Sequence, residues 1–111
     1  GELNPCGVYV YDALDVAEQR LYDRFVGDKP TPEGLTRFVG RKEKNIQDFL
    51  DMPEHCGAFF AFIHNSGTVE DAVNNVESEF KRFCDGGERD SVLIDRTASE
   101  LSASAKEKIS G

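Results

Sequence analysis

The chain has 111 residues, 13 Lys+Arg against 21 Asp+Glu and a formal net charge of −8. That length carries one core rather than two, and 39% hydrophobic with 31% charged residues is a folded composition, not a disordered one. The longest apolar run, Ala58 to Ile63, is too short to cross a bilayer, and scattered cations in an acidic chain argue against nucleic acid as a ligand.

Gly7 to Tyr11 (GVYVY) is β-branched and aromatic and predicts a strand. Leu14, Ala17, Leu21 and Phe25 then recur at spacings of three and four, the stripe of an amphipathic helix, which Gly27 and the turn Asp28-Lys29-Pro30 end. Thr31-Pro32-Glu33 opens a second helical segment with a hydroxyl cap, proline at the first helical position and an acid near the positive helix end. Leu35, Phe38 and Val39 carry its stripe to Gly40, and Ile46, Phe49 and Leu50 resume it in phase. One helix, or two bent at Gly40, both fit that pattern, with Pro53 as the stop.

Gly57 to Ile63 (GAFFAFI) is apolar without alternation, which predicts a central strand covered on both faces. After the turn His64-Asn65-Ser66-Gly67, Thr68 and Asp71 form a capping box before the stripe Val69, Ala72, Val73, Val76, Phe80 and Phe83. Gly86-Gly87 stops that helix. Ser91 to Asp95 (SVLID) predicts a third short strand, and Thr97 with Glu100 predicts the start of a terminal helix through Leu101, Ala105 and Ile109. The expected fold is therefore α/β, a small three-stranded, largely parallel sheet in the order β-α-α-β-α-β-α. Residues 1–98 are expected to form the domain, and 99–111 a loosely docked helix or the start of a linker.

Cys6, Cys56 and Cys84 are an odd number, and no leader of basic then apolar residues opens the sequence. Both features lead to an expectation of reduced thiols and a cytoplasmic location. Cys6, His55 and Cys56 could meet in space, but no zinc-ligand spacing is present, so no metal and no cofactor are expected. No cysteine stands in a nucleophile motif.

In an open parallel sheet, ligands bind beyond the carboxyl ends of the strands. Those ends are expected to bring together Asp12, the turn His64 to Thr68, and Asp95 with Arg96. One reading is a small phosphate- or nucleotide-handling enzyme domain. His64 would be its acid or base, oriented by Asp12 or Asp95, and the anion would lie among Asn65, Ser66, Gly67, Thr68 and Arg96. The competing reading of the same residues is ordinary capping and turn chemistry.

The segment Asn45-Ile46-Gln47-Asp48-Phe49-Leu50-Asp51 is similar to the Asn-Leu-Asp-x-Leu-x-Asp stretch on the second helix of the barstar family of ribonuclease inhibitors. Asn45, Ile46, Phe49 and Asp51 match by type, while Gln47 stands where that family has an acid and Asp48 follows one place later. The element order, acidity and size also resemble that family. The resemblance implies a small parallel sheet packed by helices, with an acidic second-helix region that plugs a basic active site.

The leading expectation is thus a small acidic protein-binding module, inhibitor-like or regulatory rather than an enzyme. Asp48, Asp51 and Glu54 would meet a basic protein partner, with Glu43 in support. The bland reading is that these acids form a solvated helix face. A third expectation is a structural domain of a larger protein, with Gly1 and Ser110-Gly111 compatible with cut ends.

Overall fold

Two parallel strands and four helices make up the computed structural model, which describes residues 7–65 and 67–110. The order is β1 (Gly7–Tyr11), α1 (Leu14–Phe25), α2 (Pro32–His55), β2 (Phe59–His64), α3 (Val69–Cys84) and α4 (Ser91–Ser110), with a 3-10 turn at Cys56–Ala58 leading into β2. β1 pairs with β2 so that Tyr9 stands beside Phe62 and Tyr11 beside His64, after an irregularity between Gly7 and Val8. Paired residues of parallel strands share a face. Tyr9 accordingly meets Phe62 edge-on at 5.7 Å and Tyr11 stacks on His64 at 5.0 Å.

The apolar character of β2 on both sides has a direct cause. Phe59 and Phe62 pack against the core built from α2 and α4, whereas Phe60 meets Phe83 of α3 at 5.2 Å. Phe60, Ala61 and Ile63 are buried. β2 is not a central strand, however. Among the described residues the sheet has two strands, and beside β2 lies a cavity of about 230 Å³ lined by Phe60, Phe62 and Leu93 together with Glu79, Arg82 and Asp90.

The third strand predicted over Ser91–Asp95 is the beginning of α4. Asp90 starts this helix: its carboxylate accepts from the Leu93 amide at 3.0 Å and its carbonyl from the Ile94 amide at 3.0 Å. The periodicity extends back from the terminal segment, because Ile94, Ala98, Leu101 and Ala105 are spaced four, three and four residues apart and all are buried. Val92 and Leu93 are exposed. The local β propensity of Ser91–Asp95 is overridden by a helical stripe that has a core to enter. Thr97 and Glu100, expected to cap the helix, lie inside it, as does the boundary expected after residue 98.

α4 is the other half of the core. Its buried stripe lies against Phe49 and Met52 of α2, and Ala98 and Ala105, both fully buried, keep the contact face small. Ser102, buried at this contact, donates to the Leu50 carbonyl at 3.2 Å, so its hydroxyl is satisfied. At the far end Lys108 bonds Asp15 at 2.7 Å and Glu18 at 3.0 Å on α1. The Lys108 bond, with Lys42 adding to it, holds the Glu18 carboxyl below its usual range, while Asp15 first and then Glu18 push the Lys108 ammonium up. Asp15 is exposed and Lys108 and Glu18 are half-buried, so water still screens these pairs and they orient the helix end more than they stabilise it.

α2 is one helix through Gly40, and it passes through Pro53 to end at His55. Pro53 lies in the last turn; it removes the amide that would donate to the Phe49 carbonyl, and only two residues of helix follow it. The glycines of α2 differ in purpose. At Gly34 a Cβ would stand 2.2 Å from the Phe25 carbonyl oxygen, so close packing of the α1 end on the α2 start requires the hydrogen there. At Gly40 a Cβ would meet nothing within 4 Å. Gly40→Ala is therefore expected to stabilise the protein by about 0.5–1 kcal/mol in a urea melt. A loss of stability would mean that the backbone there needs glycine.

Candidate functional site

At the carboxyl ends of the strands, Asp12 follows β1 and His64-Asn65 ends β2. Asp12 is held by Arg20 through a 2.5 Å ion pair, and the Asn65 amide donates to the Tyr11 carbonyl at 2.7 Å. Asp12 Oδ1 and Asn65 Oδ1 are buried and find no hydrogen-bond partner among the described residues. His64 is exposed and its ring is engaged by stacking on Tyr11, with an interplanar angle of 5°. Burial, then the nearby Glu100 carboxylate, raises the Tyr11 phenol above its ordinary value.

The turn that follows opens onto a cavity of about 330 Å³ among His64, Asn65, Gly67 and Asp71. Ser66 lies outside the described residues. The capping box predicted from sequence is formed: the Thr68 hydroxyl accepts from the Asp71 amide at 3.1 Å, and the Asp71 carboxylate accepts from the Thr68 amide at 3.2 Å. A carboxylate therefore occupies the start of α3, where the anion of the phosphate reading would sit. It repels such an anion and satisfies one of the donors an anion would use.

Asp95 does not join this edge, and Arg96 follows it within α4. Arg89 donates to the Phe59 carbonyl at 2.7 Å and the Cys56 carbonyl at 2.9 Å, which fixes the start of α4 beside the start of β2. The Cys56 thiol lies 3.6 Å from Asp95 Oδ1, so Asp95 stands at the opposite end of β2 from His64. The expected convergence of Asp12, His64 and Asp95 fails because Ser91–Asp95 begins α4 and is not a strand of the sheet. Burial, and then the Asp95 carboxylate, pushes the Cys56 thiol up. Cys56 stays protonated, in keeping with a packing role rather than a nucleophilic one. Of the zinc trio, Cys6 lies outside the described residues, and no group of three or more His, Cys, Asp or Glu able to hold a metal occurs among the described residues.

The four acids expected to meet a partner all lie on α2. Glu43 and Glu54 are exposed, and Asp48 and Asp51 are half-buried. Phe49 and Met52 point into the core from the same turns; Asp51 and Glu54 fall on the outer side, while Asp48, one turn before Met52, lies at the margin of the core. Asp48 is 3.5 Å from Lys44, and Asp51 accepts from Gln47 at 2.9 Å; Glu43 and Glu54 have no side-chain partner among the described residues. The Asp48 carboxylate adds to burial in raising the Tyr9 phenol. No Lys or Arg occurs between Lys44 and Lys81.

The sequence reading missed that this acidic end is half of a longer stripe. Arg37, Arg41, Lys44, Asp48 and Asp51 follow one another at spacings of four, three, four and three along α2. The stripe changes sign between Lys44 and Asp48. The signal was in the sequence as charge at helical period, overshadowed by the acidic total.

No helix among the described residues is long and apolar enough to cross a membrane. Set beside protein-family models, curated proteins and solved structures, the chain matches none of them.

Proposed function

We propose that the chain is a small protein-binding module, inhibitor-like or regulatory, that presents the acidic end of α2 to a basic protein partner. One observation carries the reading. Glu54 stands in the last turn of α2 and Asp51 just before it, where the helix macrodipole is turning negative, and no cation pairs with either among the described residues. Charges placed there cost stability rather than adding to it. They are useful as a negative site on a rigid helix backed by Phe49 and Met52, which draws in a positive surface and orients it.

The similarity of Asn45 to Asp51 to the barstar inhibitory stretch names the first partner class to try, a small basic ribonuclease with an open active-site cleft. Titration of the whole chain with such an enzyme at low and high salt is the test. Binding is expected at low salt and to weaken as salt rises, with Asp48→Ala and Asp51→Ala each reducing affinity about tenfold at low salt. Salt-independent binding, or unchanged affinity in both variants, overturns the assignment of these residues.

A further inference from the structure

We infer that the groove between the end of α1 and the first half of α2 is a binding site for a small molecule carrying several phosphoryl groups in a row. The cavity measures about 590 Å³ and is lined by Arg24, Phe25, Arg37, Gly40, Arg41 and Lys44. In a chain of net charge −8, four cations and no carboxylate surround one opening. Arg24, Arg37 and Arg41 make no ion pair among the described residues, and Lys44 alone has one, to Asp48 at 3.5 Å.

Arg24 suits the last turn of α1 and Lys44 pairs with Asp48, but nothing in the fold offsets Arg37 and Arg41. Like charges at helical neighbours such as Arg37 and Arg41 repel and weaken the helix that carries them. Gly40, between them, weakens it again, and no packing contact requires a glycine there. Its missing side chain leaves the floor of the groove open. Both departures from helix stability are repaid if an anion enters. The Arg24 guanidinium lies over the Phe25 ring at 5.1 Å, which holds its planar fork at the groove wall.

The ligand class follows from the donors. Guanidinium forks match phosphate oxygens two at a time. From Arg37 to Lys44 the helix rises about 10 Å, more than one phosphate bridges, so the site suits consecutive phosphoryl groups. It lies mainly on the N-terminal half of α2 and touches the partner reading for the C-terminal half only through the Lys44–Asp48 pair.

The test is titration of the whole chain with inorganic tripolyphosphate, followed by amide NMR shifts and calorimetry. Shifts are expected at Arg24 and from Arg37 to Lys44, with orthophosphate binding more weakly. Arg41→Gln should weaken binding about tenfold or more. Gly40→Gln should weaken it without removing charge, and Lys106→Gln, on exposed α4 surface, should leave it unchanged. Circular dichroism of each variant checks that the helices are intact. The assignment is overturned by absence of shifts in the groove, by full affinity in Gly40→Gln, or by a hexaglutamate peptide binding as tightly as tripolyphosphate.

Discussion

Phe49→Ala is expected to destabilise the protein by about 3–5 kcal/mol, measured as a fall in the urea midpoint at unchanged slope. Phe49 is 5% exposed and packs in the cluster with Met52, Cys56, Ile94 and Ala98, its ring meeting Tyr11 edge-on at 6.2 Å. Its removal leaves a void bounded by both strand and helix, which cannot close without moving α2 or α4. A domain of this size has about 5–15 kcal/mol of total stability, so the variant should sit near the limit of folding at room temperature. A change under about 1 kcal/mol would place Phe49 outside the core and remove the rigid backing of the acidic stripe.

The second large effect separates helix from strand at the start of α4. Ile94 is 2% exposed, so Ile94→Ala should cost about 2–5 kcal/mol. Val92 is 69% exposed, so Val92→Ala should stay within about 0.5 kcal/mol. Two residues apart on a strand, both side chains would share a face and both substitutions would be costly. On a helix they point to nearly opposite sides. Comparable losses at the two positions would restore a strand and return Asp95 to the neighbourhood of His64.

Where the sequence was readable, local pattern and tertiary environment agreed. Gly7–Tyr11 pairs as read, the stripe from Leu14 to Phe25 is α1, and Thr68 with Asp71 caps α3 as its spacing predicts. Where they disagreed, the tertiary environment won. Ser91–Asp95 has strand-like residues, yet Ile94 belongs to a stripe whose other members, Ala98, Leu101 and Ala105, look too small and too polar in their surroundings to signal a core helix. Small residues there permit close contact with α2, a property visible only once the partner helix is in place. The candidate site changes with it: Asp12 and His64 lie at the predicted edge, and Asp95 does not. The acids of α2 were legible as a cluster. That Asp48 and Asp51 follow a basic half on one stripe depends on the helix being continuous through Gly40.

The account rests on the acidic end of α2 being kept for binding against the preference of the helix. The double variant Asp51→Asn with Glu54→Gln tests it most directly, because it removes two charges while retaining shape and the acceptor for Gln47. Urea melts should show stability rising by about 0.5–2 kcal/mol as the unfavourable charges leave the helix end. Titration with a basic ribonuclease at low salt should show affinity falling by about tenfold or more, short of the sum of the two single losses because the residues are helical neighbours. Stability that falls while affinity holds would contradict the account, since the carboxylates would then serve the fold and not a partner.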